Sequence, residues 1–193
     1  DAARADAYMN RQYLDPLFLG TYPEELQRAF GATWPQFPAR DFDLIRAPID
    51  FLGINYYSRN VVAHDPDGGL LRVRRVRQTG KLHTELDWEV YPEGLTRTLC
   101  WVKERYGDIP IYVTENGAAF PDPDTVQGEG LADPLRIDYL RTHLRAAHAA
   151  LQKGVALRGY FVWSLLDNLE WAAGFSKRFG IVHVDFTTQK RTP

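Results

Sequence analysis

Glu115 closes a short apolar run, Ile111-Tyr112-Val113-Thr114, and Asn116-Gly117 follows it at once. The β-branched and aromatic content of the run reads as a buried strand, and Asn-Gly reads as the break after it. A carboxylate at the C-terminal end of a strand lies where the loops of parallel α/β proteins converge on a pocket. Two other strands end in groups of compatible chemistry. Asn55 and Tyr57 finish one, and Trp163 leads from another into Glu170 and Trp171. Asn, Glu and Trp together suit a sugar: carboxylate and amide oxygens grip paired hydroxyls, while an indole face covers the apolar side of a pyranose ring. A carboxylate near the anomeric carbon can attack it or stabilise an oxocarbenium-like transition state. Each residue also has a plainer reading. Trp163 would pack in a core, Tyr57 would be a half-buried strand tyrosine, and Asp167, Glu170 and Glu115 itself would be solvated loop acids. Their recurrence at three strand ends favours the shared chemistry.

The elements that must position these groups alternate along the chain. Residues 2 to 18 are expected to be helical, followed by a Pro-rich irregular stretch holding Tyr22-Pro23, Trp34-Pro35 and Phe37-Pro38 and a short helix near Glu24 to Phe30. Asp50 to Tyr57 reads as a strand and residues 58 to 91 as a long loop, too long to be a plain connection. Pro92 opens a helix with Leu95, Leu99, Val102 and Tyr106 on one face, and Gly107 stops it. Asp133-Pro134 caps a second helix, with Leu140, Leu144, Ala147 and Leu151 expected on its buried face and Gly154 at its end. Arg158 to Trp163 is the last strand. Helices between apolar strands imply parallel βαβ units and an α/β fold.

Composition narrows the function. The chain has 193 residues, 45% hydrophobic and 25% charged, with a formal net charge of -2. That balance is ordinary for a globular protein and gives no electrostatic case for nucleic acid or anionic lipid as a partner. The arginines between 72 and 77 are interleaved with Val73 and Val76 and read as a solvated loop. Cys100 is the single cysteine, so no internal disulfide forms, and its helical setting suggests a buried thiol. The five histidines are scattered, and His143 and His148 fall off a common helix face, so no metal is expected. No run reaches the length of a membrane span. Low cysteine use and the lack of a visible export signal place the protein in the cytoplasm as an expectation.

The segments Phe51-Leu52-Gly53-Ile54-Asn55-Tyr56-Tyr57, Tyr112-Val113-Thr114-Glu115-Asn116-Gly117 and Trp163-Ser164-Leu165-Leu166-Asp167-Asn168-Leu169-Glu170-Trp171 resemble the signature segments of glycoside hydrolase family 1. Trp88-Glu89-Val90-Tyr91-Pro92-Glu93-Gly94 and Phe175-Ser176-Lys177-Arg178-Phe179-Gly180-Ile181-Val182 match as well, so the resemblance runs nearly from end to end. It implies a (β/α)8 TIM barrel and a retaining β-glycosidase, most often a β-glucosidase, without a cofactor. It also implies site roles. Glu115 is the nucleophile and Tyr57 donates a hydrogen bond to it. Asn55 lies near the 2-hydroxyl, Glu170 receives the 4- and 6-hydroxyls, and Trp171 the 3-hydroxyl. Trp163 is the platform under the sugar, Phe179 adds to the wall, and Trp88 faces the aglycone. A carboxylate at Glu170 favours a free hydroxymethyl group over a 6-phosphate by charge repulsion. Ala173 departs from the acidic residue that many members carry at its position.

The resemblance places the three strands as the last three of eight, so residues 1–193 are expected to be the C-terminal portion of one catalytic domain. A complete barrel needs about 250 residues or more. Retaining hydrolysis needs two carboxyl groups about 5 to 5.5 Å apart. The family's second carboxyl, the acid/base glutamate, belongs to an Asn-Glu-Pro motif, and no such motif occurs here. The expected partners are therefore a β-glucoside and the N-terminal portion of the same barrel. A non-catalytic sugar-binding fragment, an assembly piece docking through open strand edges, and a related β-galactosidase, β-fucosidase or thioglucosidase are the alternatives.

Overall fold

A computed structural model describes residues 1–122, 126–127 and 130–193. In chain order the helices are α1 (Ala2–Asp6), α2 (Gln12–Leu19), α3 (Glu24–Phe30), α4 (Ala39–Ile45), α5 (Pro92–Tyr106) and α6 (Pro134–Gln152). The strands are β1 (Leu52–Asn55), β2 (Val62–His64), β3 (Val73–Arg75), β4 (Ile111–Asn116), β5 (Val126–Gln127), β6 (Gly130–Leu131), β7 (Leu157–Val162), β8 (His183–Val184) and β9 (Arg191–Thr192). They fall into two compact units, one of Asp1–Ile49 with Asn60–Thr79, the other of Asp50–Arg59 with Gly80–Pro193.

In the first unit a π-turn at Ala7–Arg11 joins α1 to α2, and the expected helix extends to Leu19. Gly20 ends it at φ 70°, a left-handed conformation suited to glycine. Arg11 is held by Asp6 at 2.7 Å and Glu25 at 2.8 Å. The Pro-rich stretch is tied by its aromatic rings, with Tyr22 centred 4.6 Å from Phe37 and 5.7 Å from Trp34. Part of the expected 58–91 loop is instead the antiparallel hairpin β2–β3, turned through Gly69–Leu71. Val73 and Val76 are half-buried while Arg72, Arg74, Arg75 and Arg77 stay exposed. The arginines are solvated as expected, but the segment that carries Arg74 and Arg75 is a strand rather than a loop.

The second unit carries a parallel sheet in the order β1-β4-β7. α5 precedes β4 and α6 precedes β7, and both helices lie on one face of the sheet. Leu95, Leu99 and Val102 of α5 pack with Ile111 and Val113 of β4 and with Ala146, Ala147 and Ala150 of α6. The α5 face agrees with its spacing, although Cys100 is half-buried rather than buried. The α6 face agrees only in part, at buried Ala147 and half-buried Leu140. Leu144 and Leu151 are 50% and 43% exposed, and the buried residues are Arg136, Tyr139, His143, Ala146, Ala147 and Ala150. Small residues there let α6 approach α5, and the polar atoms of Tyr139 and Arg136 find partners on the strand ends and loops, so hydrophobicity alone placed the centre of the buried face to one side. The opposite face of the sheet is bare among the described residues: Phe51 and Phe161 are 55% and 57% exposed.

Candidate active site

Glu115 owes its orientation to a break in β4. Ile111 and Val113 point into the helix layer, so strict alternation would send residue 115 there too. The strand register shifts on both flanks, between Ile54 and Asn55 on β1 and between Val113 and Asn116 against β7. Such irregularities re-aim side chains at sheet edges and sites. Here they exchange two residues. Asn116, read from sequence only as a strand breaker, is the last residue of β4 and fully buried on the helix side. Glu115 is turned to the bare face, where Tyr57 Oη donates to its Oε2 at 2.7 Å. The next residue must be Gly117, because a Cβ there would overlap the Trp163 carbonyl oxygen.

Burial first, then the hydrogen bond to Glu115 and the negative charges of Glu115 and Glu170, push the Tyr57 phenol up from its ordinary pKa. It therefore stays protonated and serves as a donor to the carboxylate. Its ring is bracketed by Trp88 at 5.2 Å and Phe179 at 6.0 Å, and those two rings are 6.2 Å apart. Asn55 is exposed at the end of β1, its Oδ1 accepting from Thr114 Oγ1 at 2.7 Å.

Trp88 is placed by main-chain and ionic contacts. Its carbonyl accepts from Thr84 N at 2.9 Å, and the adjacent Glu89, 3% exposed, takes two bonds of 2.9 Å from Arg59. The Arg59 bonds hold the Glu89 pKa below the usual carboxylate range. Arg59 also lies 3.8 Å over the Tyr91 ring, and Tyr56 Oη donates to the Tyr91 carbonyl at 2.6 Å.

On the far side of β4, Trp163 N donates to the Asn116 carbonyl at 2.9 Å and its side chain is half-buried. Asp167 is no solvated acid. It is 6% exposed and accepts from Gly180 N, Val184 N and Arg178 Nη1 at 2.9, 3.0 and 2.7 Å. It thereby pins the start of the loop that presents Glu170 and Trp171. Between them and Gly174 the chain closes on itself, with Glu170 N donating to Gly174 O at 2.7 Å. Glu170 is half-buried and Trp171 is 88% exposed. Of the residues expected from sequence, Glu115, Tyr57, Trp88 and Phe179 are in one cluster, Glu170 acts on it electrostatically, Asn55 and Trp163 stand at the ends of β1 and β7, and Trp171 lies on the loop after β7, outside the cluster.

Sequence reasoning missed the layer beneath. Asn116 Nδ2 donates to Tyr56 O at 2.6 Å and to Tyr139 Oη at 3.1 Å, Tyr160 Oη donates to Asn116 Oδ1, and Tyr139 Oη donates to Tyr57 O at 3.1 Å. The available signal was the pairing of two polar residues, Tyr139 and His143, with alanines along α6. Arg136 joins Asp133 at the helix start and donates to the carbonyls of Ala118 and Arg178 at 3.3 and 3.1 Å. Among the described residues no cluster of three His, Cys, Asp or Glu side chains suits a metal ion, and no helix is long and apolar enough to cross a membrane.

The family model of glycosyl hydrolase family 1 matches residues 1–193. Beta-glucosidase A of Thermotoga maritima is 47% identical over 179 residues, covering 93% of this chain and 40% of that protein. The bifunctional beta-D-glucosidase/beta-D-fucosidase of Bifidobacterium breve is 42% identical, covering 97% of this chain and 44% of its own length. The crystallised beta-glucosidase from Thermotoga maritima in complex with castanospermine superposes with a TM-score of 0.91 at 44% identity, covering 99% of this chain and 42% of that one. The chain thus spans about two-fifths of the length of the curated relatives it matches.

Proposed function

The chain belongs to glycosyl hydrolase family 1, and from that premise we propose that it is the C-terminal portion of a retaining β-glycosidase acting on terminal β-D-glucosides, with Glu115 as nucleophile. The observation that carries the reading is the 2.7 Å bond from Tyr57 to Glu115 at adjacent strand ends. It holds one carboxylate oxygen and leaves the other to attack. In the first step that oxygen bonds to the anomeric carbon as the bond to the aglycone oxygen breaks, and an acid delivers a proton to the departing oxygen. In the second, water attacks the same carbon, the ester to Glu115 breaks, and the water's proton returns to the acid, now acting as base. That acid/base carboxyl is assigned to a part of the enzyme outside these residues.

In this reading β1, β4 and β7 are the last three strands of an eight-stranded barrel. The bare face carrying Phe51 and Phe161 supports it, since a barrel interior packs such side chains in layers. The remainder of the barrel would pair with the outer edges of β1 and β7, and the family match over both units supports a single catalytic domain. Asn55, Trp163, Glu170, Trp171 and Phe179 form the sugar subsite and Trp88 its aglycone side. A second reading, in which β-D-fucosides are also substrates, is favoured by the bifunctional relative from Bifidobacterium breve.

The test uses the complete barrel and an activated 2-deoxy-2-fluoro glucoside, whose covalent intermediate turns over slowly. Added mass is expected on the peptide containing Glu115, and Glu115→Gln is expected to lower turnover by several orders of magnitude. Label on Asp167 or Glu170, or full activity in Glu115→Gln, would overturn the assignment.

A further inference from the structure

We propose that Tyr139 is a positioning residue for the reaction, holding the Tyr57–Glu115 pair in register from the helix layer without touching the sugar; this rests on Glu115 being the nucleophile. Tyr139 is 2% exposed, and its hydroxyl sits where β1 and β4 end. It donates to the Tyr57 carbonyl at 3.1 Å and accepts from Asn116 Nδ2 at 3.1 Å. Those partners are the main chain of the residue that grips Glu115 and the side chain of the residue that follows it.

The bonds form a one-way series. Tyr160 Oη gives to Asn116 Oδ1, Asn116 Nδ2 gives to Tyr139 Oη, and Tyr139 Oη gives to the Tyr57 carbonyl. Each donor has a single acceptor in the series, so the Asn116 amide has one orientation compatible with all its partners. The series crosses β7, β4, α6 and the end of β1. It bears on the place where alternation in β4 breaks, and that break is what turns Glu115 toward Tyr57. Tyr139 itself is fixed from behind. His143 stacks on it with centroids 3.9 Å apart, and His143 Nδ1 donates to the Tyr139 carbonyl at 2.8 Å. Rigid support of this kind determines whether a reacting group stays within a few tenths of an ångström of its working geometry.

Tyr139→Phe removes the hydroxyl and keeps the ring. In the complete barrel it is expected to slow both labelling of Glu115 and kcat by about tenfold or more, the rate equivalent of a lost buried hydrogen bond and its stranded partner. Affinity for a neutral sugar competitor should stay within about threefold, because ground-state contacts are untouched. Thr96→Val is the control. It deletes the 2.7 Å bond from Thr96 to the Ala146 carbonyl, loosening the same helix away from the strand ends, and should leave kcat unchanged. A readout independent of turnover is the 13Cζ resonance of Tyr57, assigned by its loss in Tyr57→Phe. It should move in Tyr139→Phe and hold still in Thr96→Val. Tyr160→Phe, which cuts the series at its start, replaces Tyr139→Phe if that variant does not fold, with the same shift expected. An unmoved Tyr57 resonance, or rate losses no larger than those of Thr96→Val, would overturn the proposal. Wild-type barrel left unlabelled at Glu115 would instead overturn the functional reading, and the resonance would still decide the positioning role.

Discussion

Acidification should destabilise the complete barrel through His143. His143 is fully buried, its Nδ1–H is committed to the Tyr139 carbonyl, and its Nε2 has no partner. A second proton would have to sit on that unpartnered nitrogen, away from water and without an acceptor. Burial accordingly depresses the pKa from 6.5 to about 4, only partly offset by the bond to Tyr139 and by Glu93. Because the folded value lies below the unfolded one, the unfolded chain takes up the proton first. The stability associated with neutral His143 is present in full above pH 6.5 and is lost as pH falls toward 4. Between pH 7 and 4.5 the loss from this one group is about 2.5 kcal/mol, a sizeable share of a domain's stability of about 5 to 15 kcal/mol. Reversible urea unfolding at the two pH values would measure it, with His143→Asn as the reference. Asparagine keeps a donor for the Tyr139 carbonyl and does not titrate. The variant should be less stable at pH 7 yet show a pH-dependent loss smaller by about 2.5 kcal/mol. Equal losses in the two proteins would refute the reasoning.

Glu170→Ala should weaken recognition of the 4- and 6-hydroxyls by about 1.5 to 3 kcal/mol per charged hydrogen bond, seen as a larger fall in kcat/KM for a glucoside than for its 6-deoxy analogue; equal, small losses on both would make Glu170 a bystander. Residues 1–193 in isolation should bind hydrophobic dyes, melt without cooperativity and hydrolyse no glucoside, since Phe51, Phe161, Leu144 and Leu151 are exposed and each large side chain is worth about 1.5 to 3 kcal/mol when buried. Co-expression with the rest of the barrel should restore activity, and a monomeric, cooperatively melting, active 193-residue chain would refute that expectation.

The elements that depend on local pattern were legible. The apolar period of α5, the cap at Asp133 and the strand carrying Glu115 all follow from residues near one another in the chain. What escaped depends on pairing between distant segments. The exchange of sides at Glu115 and Asn116 arises from register with two neighbours, and no single run of residues encodes that. The buried face of α6 was misread because Tyr139 and His143 are polar, and the partners of the Tyr139 hydroxyl lie on β4 and just beyond β1, up to 82 residues away. The anchoring role of Asp167 was not legible because its ring of donors, Arg178, Gly180 and Val184, comes from a segment that folds back over it. The hairpin at Val62–Arg75 was hidden because Arg74 and Arg75 are both exposed, so its second strand lacks the apolar alternation that marks a strand in sequence.

The Asp167 pin also bears on how selectivity can change. Glu170 and Trp171 sit on a stretch fixed at one end by the buried carboxylate and at the other by Phe179 and Gly180, with its closure made by its own main chain between Glu170 and Gly174. Such a stretch is an exchangeable cassette: its side chains, and to some extent its length, can be redrawn while the anchors stay put. On the proposed sugar subsite, a change of preference is therefore expected to come from swapping residues 168–176 as a block, leaving Asp167, Arg178 and Gly180 untouched. Point changes at the anchors would spread to the strand ends and cost folding as well as specificity.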